Sequence, residues 1–341
     1  LSVDLKEMLI KPASSEETEG RQPRPSAAAW LSRYGAYLAL ALLVLFNLAF
    51  TPHFATMQTF SVNLAQICTI VIVGVGMTLV IATGGIDLSV GSLMAIAGAI
   101  APGFFTGYYF PSAPPYLNIA LSIAVPIAVA GLFGLFNGWL VAGFRIQPII
   151  ATLVLFIAGR GIAQVWTNGD LQVFKMPAFQ AIALGHVLGV PLQIWIMLAV
   201  VILAAWVLRR TVFGRQVLAV GGNEAAARLS GVPVGRVKCL VYVASGLCSG
   251  VAGLIVIAMN SAADANLIGM GTELDAIAAV AVGGTLLSGG RATTTGTLVG
   301  ALIIQLVRYT LLANGVPDSA ALIAKAALIV IAVWLQRQER A

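Results

Sequence analysis

Residues 61–100 read SVNLAQICTIVIVGVGMTLVIATGGIDLSVGSLMAIAGAI, with Asp87 as the only charged side chain among them. A bilayer core about 30 Å thick takes roughly 20 apolar residues in helical form. This stretch holds two such runs, split at Thr83-Gly84-Gly85, where paired glycines can break a helix. Outward from it, the same reading finds candidate spans at 34–51, 61–82, 88–107, 117–143, 148–167, 192–210, 238–260, 275–288, 294–313 and 319–336. The eighth is short and glycine-rich and reads as a broken or re-entrant helix. The expected fold is an all-α polytopic membrane protein of about ten transmembrane helices.

Composition argues the same way. Of 341 residues, 59% are apolar and 9% charged, whereas soluble domains carry roughly a quarter charged residues, so no polar shell can be built around a soluble core. Cys68, Cys239 and Cys248 lie singly in apolar runs and read as free buried thiols. Two histidines, His53 and His186, are too few for a His-rich metal site. The net charge of +6 is no nucleic-acid signature, because the basic residues sit beside spans.

Residues 1–33 differ. Asp4, Glu7, Glu16, Glu17 and Glu19 mix with Lys6, Lys11, Arg21 and Arg24, and no apolar run there resembles the core of a signal peptide. The segment is expected to be a flexible cytoplasmic tail, with residues 34–336 forming the membrane domain and 337–341 a cytoplasmic end. With the N-terminus inside, ten spans place Arg145, then Arg209, Arg210, Arg215, Arg228, Arg236 and Lys238, then Arg291, then Arg337 and Arg340 on the inner side. The outer loops hold Asp170, Asp264, Glu273 and Asp318, with Lys175 the lone basic exception. That bias satisfies the positive-inside rule. A weak echo between Gly85-Ile86-Asp87-Leu88-Ser89-Val90-Gly91 and Glu273-Leu274-Asp275-Ala276-Ile277 suggests two five-span halves of inverted orientation.

The one large inner loop, 211–238, reads TVFGRQVLAVGGNEAAARLSGVPVGRVK. It carries a fully punctuated short helix. Asn223 can cap it, Glu224 suits the first turn, and Arg228 falls four residues after Glu224. Gly231 offers the left-handed position that ends a helix, and Pro233 forbids continuation. Two turns are marginal alone in water. An ordinary surface helix is one reading; the small, flat run Ala226, Ala227, Ser230, Gly231 between basic flanks instead suits a groove on another protein.

GRQVLAVGGNEAAARLSGVPVGRVK resembles the cytoplasmic coupling loop of ribose-type sugar ABC permeases. Segments 74–100, 145–163 and 273–291 resemble other signature stretches of that family in matching order, so that the likeness covers about residues 60–336. Residues 261–277, with Asp264-Ala265-Asn266, look closer to the galactofuranose permease branch. The resemblance implies the permease subunit of a bacterial ABC importer for a neutral monosaccharide, in the inner membrane with both termini cytoplasmic. Implied partners are ABC ATPase subunits carrying ATP and Mg, a periplasmic sugar-binding protein, and a second permease as homodimer or paralogous heterodimer. The ATPase-coupling helix would comprise Gly222, Asn223, Glu224, Ala226, Ala227, Arg228, Ser230 and Gly231. Among the outer acids, Asp264, Glu273 and Asp318 are candidate contacts for the binding protein, and Glu273, like Asp275, can instead cap a helix or contact sugar.

The chain lacks an engine of its own. Its nearest approach to the phosphate-cradling G-x-x-x-x-G-K-[ST] loop is Gly284–Arg291, with Gly290 at the lysine position. Neither a cofactor nor catalysis is therefore expected of this chain. Ionisable and amide groups at membrane depth are functional candidates. For the sugar path these are Gly84, Gly85, Asp87, Ser89, Asn137, Gln147 and Gln305. Asp87 can cap the helix it opens or contact sugar, and the amides can bond sugar hydroxyls or neighbouring helices. Arg160, Arg308 and Lys325 are expected to pair or to snorkel. A solitary secondary carrier or channel is the competing class, and it has no need of an exposed, capped two-turn helix.

Overall fold

The computed structural model describes residues 27–317, 319–327 and 330, with side chains from Gly35 onward. The tail 1–26, Asp318, the end of the tenth expected span and the C-terminal residues lie outside the described residues.

Apolar stretches become helices where the sequence punctuates them. Helix α1 spans Ala27–Phe50, and α2 spans Met57–Ala82, capped by Thr56, whose hydroxyl accepts from the Thr59 amide at 3.2 Å. Helix α3 (Val90–Phe105) follows a non-helical break at 83–89. Pro115 and Pro148 open α4 (Pro115–Gly143) and α5 (Pro148–Thr167), a position where a missing N–H costs nothing. On one side lie α6 (Pro177–Leu184) and two two-residue strand pairings, Gln172–Val173 with Ala262–Ala263 and His186–Val187 with Val190–Pro191. Helix α7 (Leu192–Arg210) ends in Arg209 and Arg210, which suit both the helix dipole and an inner interface. Then come α8 (Val212–Gly222), α9 (Glu224–Leu229), α10 (Val234–Asn260), α11 (Thr272–Val282) and α12 (Thr294–Ala313), followed by helical residues 319–327.

The protein is all-α and polytopic. Among the described residues six helices are long and apolar enough to cross a membrane (α2, α4, α5, α7, α10 and α12), and Gly35–Phe50 and α3 are shorter apolar helices. Two sit at the centre. The apolar windows of α2 and α10 are 72% and 61% buried, against 28–33% for α4, α5 and α7, so the latter three lie at the periphery of the chain. Helix α10 packs against α4, α2 and α3; α11 lies between α2 and α12; and α1 packs on α12. Asn47 and Thr310 tie α1 to α12 by side-chain hydrogen bonds of 2.7 and 3.0 Å.

Two helices are too short to span. At 1.5 Å per residue, α11 is about 16 Å long, half the hydrocarbon thickness, and α3 about 24 Å. Helix α3 begins in the interior, at the wholly buried Val90, and α11 begins half-buried, next to the buried Glu273. The backbones of Gly91, at the start of α3, and Gly269, just before α11, touch: a Cβ on Gly91 would lie 2.3 Å from the Gly269 oxygen, and one on Gly269 would lie 2.4 Å from the Gly91 oxygen. Two broken segments, arriving from α2 and from α10, thus meet with their helix starts face to face.

Arg160 fixes the second break by donating from Nη1 to the carbonyls of Ala265, at 2.9 Å, and Ile268. It stands twelve residues, about 18 Å, along α5 from Pro148. The chain at 264–271 is therefore held against α5 on one side, with Ala265 and Ile268 buried, while Leu267 and Met270 stay exposed. Glu273, expected on the outer face, is 7% exposed. Its side chain offers no docking surface here.

Candidate functional site

Residues 211–233 fold as two helices. Thr211 caps α8, its hydroxyl accepting from the Gly214 amide at 3.1 Å. This helix was not expected from sequence; its eleven residues bury Gly214, Val217 and Val220. Asn223 then caps α9, accepting from the Ala226 amide at 3.0 Å. At the other end the Val232 amide donates to Ala227 O at 3.0 Å and the Gly231 amide to Arg228 O at 3.1 Å, while Gly231 takes φ +81°. That is the Schellman arrangement, and Pro233 follows it.

Glu224 fastens α9 to its surroundings. Its Oε1 accepts from Arg228 Nη2 at 3.1 Å and its Oε2 from Lys238 Nζ, in the first turns of α10, at 2.7 Å. The hydrogen bond from Lys238 above all, with Arg228 adding, holds its carboxyl below the ordinary 4.5. Of the run expected to face outward, Ala226, Ser230 and Gly231 are exposed, but Ala227 is 5% exposed and packs inward. It belongs to the seat of the helix, because a six-residue helix needs at least one side chain to hold it down. Sequence reading missed Leu229. At 91% exposed, it is the apolar projection of α9, and its position one residue after Arg228 in a capped helix was the available signal.

Behind α9 the loop is wedged into the membrane domain. A Cβ on Gly221 would stand 1.8 Å from Ala82 O and 2.5 Å from Gly290 N. Gly290 N donates to Ala82 O at 3.0 Å. A Cβ on Gly289 would reach Gly84 N at 2.8 Å and Gly221 O at 3.0 Å. The end of α8 thus presses on the end of α2 and on the turn that follows α11. Gly84, at φ +80°, makes the reversal into 85–89 that glycine alone adopts without strain.

The path candidates fall in three places. Gly84, Gly85, Asp87, Ser89 and Asn137 come together. Asp87 is wholly buried; its Oδ1 accepts from the Ser89 amide (3.0 Å) and hydroxyl (2.6 Å), and its Oδ2 accepts from Ser245 Oγ (2.7 Å). Asn137 Nδ2 donates to Ser89 Oγ at 2.8 Å. The carboxyl thus ties the first turn of α3 to α10, with Tyr242 Oη donating to Ile86 O at 3.4 Å. Gln147 lies apart, exposed at the start of α5. Gln305 is also apart, donating to Asn63 Oδ1 at 3.3 Å and to Gln66 beside a cavity of about 580 Å³ between α1, α2 and α12. Asp264 accepts from the Asn266 amide at 2.8 Å, and Lys325 pairs with Asp275.

Comparison with known proteins supplies the family. Residues 60–333 match the family model described as branched-chain amino acid transport system / permease component. The chain belongs to this permease family. It is 40% identical to the ribose import permease protein RbsC of Escherichia coli K12 over 92% of this chain and 96% of that one. To the galactofuranose transporter permease protein YtfT of the same strain it is 39% identical, over 91% of each chain. To the L-arabinose ABC transporter permease protein AraH of Azospirillum brasilense it is 35% identical, over 89% of this chain and 87% of that one. The values of 40% and 39% do not separate the ribose branch from the galactofuranose branch favoured by residues 261–277. No solved structure matches the chain.

Proposed function

We propose that this chain is the transmembrane permease subunit of a bacterial ABC importer, passing a neutral monosaccharide across the inner membrane with force supplied by a separate ATP-hydrolysing subunit. The relatives named for ribose, galactofuranose and arabinose support the substrate class. The observation that carries the mechanism is α9: a two-turn helix, capped at both ends, that projects Leu229 into solvent while Gly221, just before it, abuts both broken segments.

In this reading a partner ATPase grips α9 from the cytoplasm. Motion reaches the membrane domain by two contacts. Glu224 pulls on Lys238 and hence on α10, whose Ser245 and Tyr242 hold residues 86–87. Gly221 bears on Ala82 and Gly290. Both starts that meet at Gly91 and Gly269 are thereby linked to one lever, as alternating access about a fixed central contact requires. Asp87 serves as a strut in this scheme, because its two oxygens join Ser89, at the start of α3, to Ser245 of α10. A binding protein would deliver sugar at the outer face, with Asp264 and Asp318 as contacts, and a second permease would complete the path. The termini face the cytoplasm, and ATP and Mg belong to the partner. The test is uptake by the assembled transporter with Gly231→Glu or Arg228→Glu. Membrane insertion is expected to stay intact while uptake is lost; unchanged uptake overturns the coupling assignment.

A further inference from the structure

A second feature lies beside α9. The turn between α4 and α5, the side of α9 and the first turns of α10 enclose a polar cavity of about 380 Å³, lined among others by Arg145, Gln147, Glu224, Arg228 and Lys238. Three cations and one carboxylate leave it two positive charges in excess. Glu224 spends each of its oxygens on Arg228 or Lys238, so no internal acid remains for Arg145, whose side chain makes no ion pair or hydrogen bond among the described residues. Arg145 also takes φ +56°, a left-handed backbone that an arginine adopts only at a cost. Leu229, next to Arg228 in α9, stands exposed.

We propose that this cavity is an electrostatic socket for a carboxylate side chain of the ATP-hydrolysing partner, with Arg145 as its unpaired cation and Leu229 as the adjoining apolar anchor. The inference rests on the coupling role assigned to α9. Its chemistry is that of a protein interface: an apolar knob inserted in a pocket, flanked by charges that set register and encounter rate. The socket also brings the α4–α5 turn into the contact, so the partner would hold the permease at two chain segments instead of one.

The experiment measures binding of the purified ATPase subunit to the full permease in lipid nanodiscs, across ionic strength, for Arg145→Glu, Arg145→Gly, Arg210→Glu and Leu229→Asp. Arg145→Glu should weaken association roughly tenfold and flatten its salt dependence, whereas Arg210→Glu, the same charge change at the end of α7, should alter it less than twofold. Arg145→Gly removes the charge and relieves the backbone, so it should weaken binding while leaving the melting temperature equal or higher. A lysine scan of surface acids on the ATPase should find one that restores binding to Arg145→Glu. Arg145→Glu behaving like Arg210→Glu overturns the socket. So does an Arg145 effect seen only as lost retention of anionic lipid, which would make the cavity a headgroup site. Leu229→Asp separates the two ideas: if it leaves binding intact, the coupling role of α9 itself fails, and if it alone abolishes binding, only the socket does.

Discussion

Replacing Asp87 offers a graded test of what the buried carboxyl does. It accepts three hydrogen bonds at 3.0, 2.6 and 2.7 Å from Ser89 N, Ser89 Oγ and Ser245 Oγ, with no exposed surface. Asp87→Ala leaves the Ser89 amide without an acceptor, at about 1–3 kcal/mol, and costs each hydroxyl about 1 kcal/mol more as it turns elsewhere. The total is about 3–5 kcal/mol. Asp87→Asn keeps Oδ1 and both Ser89 bonds. Its amide nitrogen can donate to Ser245 Oγ, which then accepts, leaving one N–H unfilled at about 1 kcal/mol. With about 2 °C of melting temperature per kcal/mol for a large chain, the expected drops are about 6–10 °C and about 2 °C. The assay is thermal unfolding of each variant in detergent, paired with sugar uptake by the assembled transporter. Asp87→Asn should keep most of its uptake. A wild-type melting temperature with abolished uptake would refute the strut role and make the carboxyl a ligand of the transported sugar. Equal drops for the two variants would refute the hydrogen-bond reasoning.

Three further outcomes are expected. Gly221→Ala puts a methyl 1.8 Å from Ala82 O, against backbone that cannot turn aside; it should cost about 3 kcal/mol or more and abolish uptake, while Gly161→Ala, with nothing within 4 Å, should leave the melting temperature unchanged or raised, as paired thermal scans would show. Glu224→Gln removes two ion pairs in which the carboxylate itself is 44% exposed, so stability should fall by about 1 kcal/mol, but ATPase stimulation by sugar-loaded binding protein should drop. Because the Glu224 carboxyl is held below 4.5, its contribution is fully present above that pH and is lost as pH falls through the depressed value; binding of the ATPase subunit should therefore be flat from pH 8 to 5 as far as this group is concerned, and a loss between pH 7 and 6 abolished by Glu224→Gln would contradict the assignment.

Much of the scaffold was legible because bilayer thickness constrains sequence so strongly. The spans expected at 148–167 and 192–210 are the observed α5 and α7, and the run at 238–260 is α10 without its first turn. Helix α9 was legible for a different reason: Asn223, Glu224, Gly231 and Pro233 are local signals that act within a few residues. What was hidden depends on contacts distant in sequence. Glu273 looked superficial because the rule that orients spans counts lysine and arginine and says nothing of how deep an acid beside a span is packed; the segment before it is held by Arg160, more than a hundred residues away. The meeting of Gly91 with Gly269 and the wedge of Gly221 against Ala82 are likewise tertiary, and an isolated glycine carries no sign of what it touches. Ala227 packs inward against expectation, and Leu229 projects unforeseen, because the facing of a six-residue helix is set by its seat, which periodicity over so short a length cannot define.

The most direct test of the coupling assignment is proximity. Ser230→Cys, placed on the exposed side of α9 in a background lacking Cys68, Cys239 and Cys248, should cross-link to single cysteines on the surface of the ATPase subunit in the assembled transporter, with a yield that changes between nucleotide-free and ATP-bound states. Cross-linking that is absent in every nucleotide state, in a transporter that still imports sugar, would contradict the assignment of α9 as the element through which force enters the membrane domain.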